Sequence, residues 1–190
     1  MENKIFNVII SGVGGQGVVT LLSIVDEAAL IDGYDVKSSE LHGLSQRGGS
    51  IEAHIRFGKK VFSPLIQTGK ADLILGSEIS EGLRAAAKAG KQTNILVNDY
   101  YLPFNDLLKL EEVKSSLQNS GSKLFIVPAS EICKEKLQNE VVSGTYLLGY
   151  AVGKNLIPIK KESFLQAIKN TIPEKYQDLN IKAFQLAYDN

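Results

Sequence analysis

One cysteine, two histidines, no tryptophan and no net charge are what this chain of 190 residues has least of. Each shortage closes off a class of function. With Cys133 alone, no intrachain disulfide, iron–sulfur cluster or cysteine-based zinc site can be built from this sequence. There are only two histidines, His42 and His54; composition leaves an oxygen-rich metal site open, but no carboxylate cluster at ligand spacing points to one, so no metal is expected. Lys plus Arg equals Asp plus Glu at 21 each, which removes the electrostatic footprint of a nucleic-acid binder. No apolar run approaches the ~20 residues that cross a bilayer. The start, Met-Glu-Asn-Lys-Ile-Phe, places an acid where a secretory leader needs a positive end, so a cytoplasmic protein is expected. Neither a Ser-His-Asp spacing nor a G-x-x-x-x-G-K-[ST] phosphate loop occurs.

What the chain does contain is apolar: 44% of residues, enough for one well-buried domain over 1–190. The most informative stretch is Gly12-Val13-Gly14-Gly15-Gln16-Gly17, directly behind an apolar run from Phe6 to Ile10. Its G-x-G-x-x-G spacing serves a tight turn, a close approach and close packing of helix on strand. Free N–H groups at the start of the following helix make such a loop an anion site, with Gly12, Gly14, Gly15 and Gly17 as the candidate cofactor contacts.

Periodicity sets the frame around that loop. A strand over 5–11, a helix over about 16–32 ending near Gly33, and a strand over 35–40 open the chain. Ile51, Ala53, Ile55 and Phe57 then alternate with Glu52, His54 and Arg56, and Gly58-Lys59-Lys60 turns toward Val61-Phe62-Ser63-Pro64. This predicts a β-hairpin with a wetter face, on which His54 is exposed or interfacial. Further strands are expected over 71–75, 93–98 and 124–127, with a helix over 80–89 closed by Gly90. Helices over 130–138, 141–154, 161–170 and 178–188 fill the last third. The fold class is therefore α/β: a mainly parallel, Rossmann-like sheet flanked by helices, with an inserted antiparallel hairpin and a helical C-terminal third.

Two segments compete to define function. Glu40 ends the second strand where a dinucleotide fold places its ribose-binding acid, which favours a free-standing nucleotide-binding oxidoreductase. The next residues do not fit that fold, because Gly43 to Gly49 form a glycine-bounded loop feeding a hairpin rather than a helix. In and just before it, His42, Gln46 and Arg47 are the candidate catalytic residues. A titratable imidazole and a fixed guanidinium on permissive backbone suit carboxylate or anion recognition. A solvated turn is the plain alternative. Asp99, Tyr100 and Tyr101 follow an apolar strand and belong to the same edge, and Cys133 reads as a small packing residue. The 141–154 helix has almost no polar face. Either the core or a partner subunit buries it, with Gly144, Gly149 and Gly153 as close-approach points.

Taken together these segments resemble the gamma-type domain of the 2-oxoacid:ferredoxin oxidoreductases, over essentially the whole chain. The residues that carry the resemblance are Ile9 to Val18, Glu40 to Ser50, Leu148-Gly149-Tyr150-Ala151 and Leu179 to Phe184. The segment His42-Gly43 through Gln46-Arg47-Gly48-Gly49 is most similar to the small beta subunits of the indolepyruvate branch. The resemblance implies a subunit of a thiamine diphosphate enzyme that oxidatively decarboxylates an aryl 2-oxoacid to its acyl-CoA. It further implies a large alpha subunit carrying thiamine diphosphate and iron–sulfur clusters, with coenzyme A and ferredoxin as co-substrates. This chain would bind no cofactor alone. The gamma subunit of another 2-oxoacid:ferredoxin oxidoreductase and a purely scaffolding subunit stay open beside the free-standing nucleotide binder.

Overall fold

A computed structural model describes residues 4–43, 48–103 and 109–189. Its elements in chain order are β1 (Phe6–Val13), α1 (Val18–Ile31), β2 (Asp35–His42), β3 (Ser50–Gly58), β4 (Ala71–Gly76), α2 (Ile79–Ala85) and β5 (Ala89–Asn98). There follow α3 (Leu110–Gln118), β6 (Lys123–Val127), α4 (Ala129–Leu137), α5 (Ser143–Gly153), α6 (Lys161–Thr171) and α7 (Glu174–Tyr188). The six strands form one sheet in the order β2-β3-β1-β4-β5-β6. Pairs β1–β4, β4–β5 and β5–β6 are parallel, while β3 runs antiparallel to both β1 and β2. Only β3 is reversed, so the other five strands present their carboxyl ends at one edge.

Alternation along the strands divides the core. Val8, Ile10, Ile55, Phe57, Leu73, Leu75 and Leu96 face α1 and the C-terminal helices. Ile9, Ile74, Ile95 and Val97 face the other way and are covered by Ile79 of α2 with Val113 and Leu117 of α3. That 3.6-residue spacing in α1 and 2-residue spacing in the strands is what puts one apolar set against the other.

Several sequence expectations change. The hairpin pairs β3 with β2, not with the segment 61–64, which forms no strand; residues 43–49 link the two strands in sequence. Segment 59–70 instead lies over β3, anchored where the Val61 N–H donates to Asp35 Oδ2 at 2.7 Å and Arg56 Nη1 donates to the Ser63 carbonyl at 2.8 Å. The face read as wet is thereby covered. His54 is 1% exposed: its Nδ1 accepts the Ile66 N–H at 3.2 Å and its Nε2 meets Glu52 Oε1 at 2.7 Å. With Nδ1 accepting, the ring proton sits on Nε2 and is donated to the carboxylate. Gly90 does not close a helix but lies in β5, where a Cβ would stand 2.4 Å from the Gly69 carbonyl oxygen.

The helix α5 is buried within the chain itself. Gly149 and Gly153 lie against the backbone of Phe184 and Tyr188 in α7, and Gly144 lies against Leu21 of α1. Cys133 is fully buried on α4, and burial pushes its thiol up to about 11. No helix among the described residues is long and apolar enough to cross a membrane.

Candidate functional site

The glycine loop sits where the sheet order turns back, between β1 and β4, the usual ligand edge of an open α/β sheet. Its shape follows from the residues in it. Gly15 and Gly17 have φ of 104° and 75°, a region costly to any residue with a Cβ, and Gly17 caps α1. Gly12 is needed for space: a Cβ there would lie 2.8 Å from Val18 Cγ2 and 3.1 Å from Ser77 Cβ. Gln16 closes the turn, its Oε1 accepting the Val13 N–H at 2.8 Å. No side chain caps the first turn of α1, so its N–H groups face the edge with the positive end of the helix dipole.

The hairpin loop meets this turn directly. The Gly14 N–H donates to the Gly49 carbonyl at 2.9 Å, so of the four candidate glycines Gly14 spends its amide within the chain. The Gly43 N–H donates to the Ser50 carbonyl at 3.2 Å and closes the hairpin. His42 and Glu40 stand on the edge strand and pair with each other, Nε2 to Oε2 at 2.8 Å. Gln46 and Arg47 lie outside the described residues. Because β3 separates β2 from β1, Glu40 is two strand spacings, roughly 10 Å, from β1. A ribose-binding acid belongs on the strand adjacent to the glycine loop. The dinucleotide geometry is therefore broken by one inserted strand.

Residues that carry no motif complete the edge. A cavity of about 210 Å³ opens among Gly15, Gly17, Ser77, Asn98, Ser130 and Val141. Asn98 ties three elements together, donating from Nδ2 to the Ser77 carbonyl and to Ser130 Oγ, while its Oδ1 accepts the Ser130 N–H. The Ser77 hydroxyl is buried and has no hydrogen-bond partner among the described residues. A larger cavity of about 490 Å³ adjoins this one and shares Gln16, Gly17 and Val141 with it. Its lining carries Thr20, Thr145, Tyr176 and Asn180 beside Leu21 and Leu179, with no charged side chain. Ser77 and Asn98 each follow or end an apolar strand, and that is the signal by which they could have been found. Tyr100 also lines the small cavity, whereas Asp99 is taken up by Lys114 at 2.9 Å.

Under the sheet's second face, Glu78 caps α2. Burial pushes its carboxyl up, against the N–H groups of Glu81 and Leu102 that hold the charged form. No group of three or more His, Cys, Asp or Glu residues suited to a metal occurs among the described residues. The edge thus offers amides, hydroxyls, the Glu140 carboxylate and a helix terminus, groups suited to a polar ligand.

Residues 7–190 match the family model described as pyruvate ferredoxin/flavodoxin oxidoreductase. The chain belongs to that family. It is 34% identical to an indolepyruvate oxidoreductase subunit IorB of Archaeoglobus fulgidus, covering 96% of this chain and 94% of the relative. It is 32% identical to the pyruvate/ketoisovalerate oxidoreductases common subunit gamma of Pyrococcus abyssi, over 94% and 92% of the two chains. Among solved structures it is similar to a 2-oxoglutarate:ferredoxin oxidoreductase from Magnetococcus marinus with 2-oxoglutarate, coenzyme A and succinyl-CoA bound. The TM-score is 0.76 at 17% identity, covering 99% of this chain and 31% of that one, so there the same fold is part of a longer polypeptide. Within the family this chain is a small subunit of the 2-oxoacid:ferredoxin oxidoreductases.

Proposed function

We propose that this chain is the small (beta) subunit of a cytoplasmic, thiamine-diphosphate-dependent indolepyruvate:ferredoxin oxidoreductase. The complex breaks the bond between the carboxyl and keto carbons of an aryl 2-oxoacid. It releases carbon dioxide, passes electrons to ferredoxin and leaves the acyl group as a coenzyme A thioester. The large alpha subunit supplies thiamine diphosphate and the iron–sulfur clusters, and the cofactor carries the carbanion chemistry. The observation that carries this reading is near-full-length identity of 34% to an indolepyruvate oxidoreductase subunit. An edge built mainly from backbone amides, hydroxyls and an amide side chain, with Glu140 as the acid lining its small cavity, supports a role in binding and orienting. A free-standing nicotinamide enzyme is disfavoured by β3 lying between Glu40 and the glycine loop.

In this reading the glycine loop and the loop 43–49 face the reaction site shared with the alpha subunit. Arg47 supplies a forked, permanently charged donor to a carboxylate or a coenzyme A phosphate, and lysine keeps the charge but not the fork. Arg47→Lys in the reconstituted complex is expected to raise KM for 2-oxoacid or coenzyme A by roughly ten- to a hundred-fold, with assembly intact. His42→Gln, assayed across pH, tests whether the imidazole tunes the same site. Wild-type kcat and KM in both variants would assign the loop to assembly alone. Comparing indolepyruvate with pyruvate and 2-oxoglutarate as substrates tests the branch. Preference for either of the latter would move the chain to a different 2-oxoacid enzyme.

A further inference from the structure

The last rung of the β1–β3 ladder pairs Val13 with Ser50, so the glycine loop and the return limb of the hairpin leave the sheet side by side. A buried acid meets them from the second face. Glu81, at the third position of α2, is 6% exposed; one carboxylate oxygen accepts the Ser50 hydroxyl and the other lies 3.4 Å from Arg84 Nε.

An acid at that helical position ordinarily turns back onto its own cap. Here the Glu78 side chain already accepts the Glu81 N–H at 2.8 Å, and the Glu81 side chain instead crosses to a residue 31 positions earlier. The Arg84 side chain is 69% exposed and compensates little, so the Ser50 hydroxyl is the main partner offsetting the burial of this carboxylate. The residue beside Ser50 is Gly49, whose carbonyl receives the Gly14 amide. A short chain of contacts therefore runs from α2 to the glycine loop.

We propose that Glu81 is a positioning residue for the glycine loop: through Ser50 it fixes the Gly49 carbonyl that holds the Gly14 amide. The loop is then fixed twice, from within by Gln16 and from the second face by Glu81. The link to turnover rests on the function proposed above, whereas the positioning itself does not.

Amide hydrogen exchange at Gly14 in the full chain separates these two statements. Ser50→Ala and Glu81→Ala are expected to speed Gly14 exchange by about ten-fold or more, the effect of losing a hydrogen bond to a charged group. Glu81→Gln, whose amide oxygen still accepts the hydroxyl, should stay close to wild type, and the amides of Ile9 and Ile10 should not respond. If Glu81→Ala does not fold, Ser50→Ala decides alone, since it removes one oxygen. Unchanged Gly14 exchange in Ser50→Ala would overturn the proposal. In the reconstituted complex the fast-exchanging variants should raise KM while kcat is kept. Fast exchange with an unaltered KM would leave the positioning in place and count against the loop's part in the reaction.

Discussion

Gly149→Ala is expected to cost about 3 kcal/mol of stability and lower the melting temperature by roughly 10 °C. The added methyl would stand 2.1 Å from the carbonyl oxygen of Phe184 and 2.9 Å from its Cα, both backbone atoms of α7. One turn further on, Gly153 repeats the contact, 2.7 Å from the Tyr188 carbonyl. Glycines four apart on α5 thus meet carbonyls four apart on α7, and the two backbones touch along one turn. A side chain in the way can change rotamer, but a carbonyl in a helix moves only with the helix. The α7 residues that would shift, Phe184 and Ala187, are themselves fully buried, so the strain spreads into the core. Gly43→Ala is the control, because among the described residues its methyl would meet only the Ser50 carbonyl at 3.6 Å. Chemical denaturation of both variants checks the account, and a Gly149→Ala loss below about 1 kcal/mol would contradict it.

Asp26→Asn is expected to stabilise the protein, and to do so more as the pH rises. Asp26 sits on α1 facing β2, where the Ser38 hydroxyl donates to Oδ2 and Oδ1 is buried with no partner among the described residues. Burial raises its carboxyl to about 6, and the Ser38 contact opposes that only in part. The folded state therefore holds a proton that the unfolded chain has released, in the interval between the ordinary carboxylate range and about 6. Stability from this group is complete below that interval and is lost as the pH climbs through it. At neutral pH the loss approaches about 3 kcal/mol, two pKa units at about 1.4 each. Asparagine avoids the charge but leaves an N–H at the Oδ1 position, so a net gain of about 2 kcal/mol is expected at pH 8. Comparing wild type with variant at pH 5 and pH 8 cancels every other titrating group. A difference in melting temperature that does not widen with pH would refute the assignment.

Much of this architecture was legible because its signals are local. The strand, glycine turn and helix at the start each carry their own pattern, and the structure returns a mechanical role for Gly12, Gly15 and Gly17. What was misread depends on contacts distant in sequence. The alternation of β3 places Ala53, Ile55 and Phe57 in the core, as the structure has them, but nothing in that alternation tells that its polar face is covered. Segment 59–70 covers that face with no periodic pattern, and a buried His54 satisfied by Ile66 and Glu52 looks, in sequence, like an exposed one. Helix α3 carries little apolar periodicity, because only Val113 and Leu117 of its nine residues are buried. At the site, the meeting of hairpin loop and glycine loop followed from strand direction. Ser77, Asn98 and Glu81 did not, because a polar residue after a strand declares its role only when its neighbours are known.

In the proposed function, turnover requires this chain and a large subunit together. The direct measurement is indolepyruvate- and coenzyme A-dependent reduction of ferredoxin by the chain alone, by the proposed large subunit alone, and by the two co-purified together. Turnover is expected from the co-purified pair and none from this chain. Thiamine-dependent turnover by this chain in isolation, or full activity of the large subunit without it, would contradict the claim.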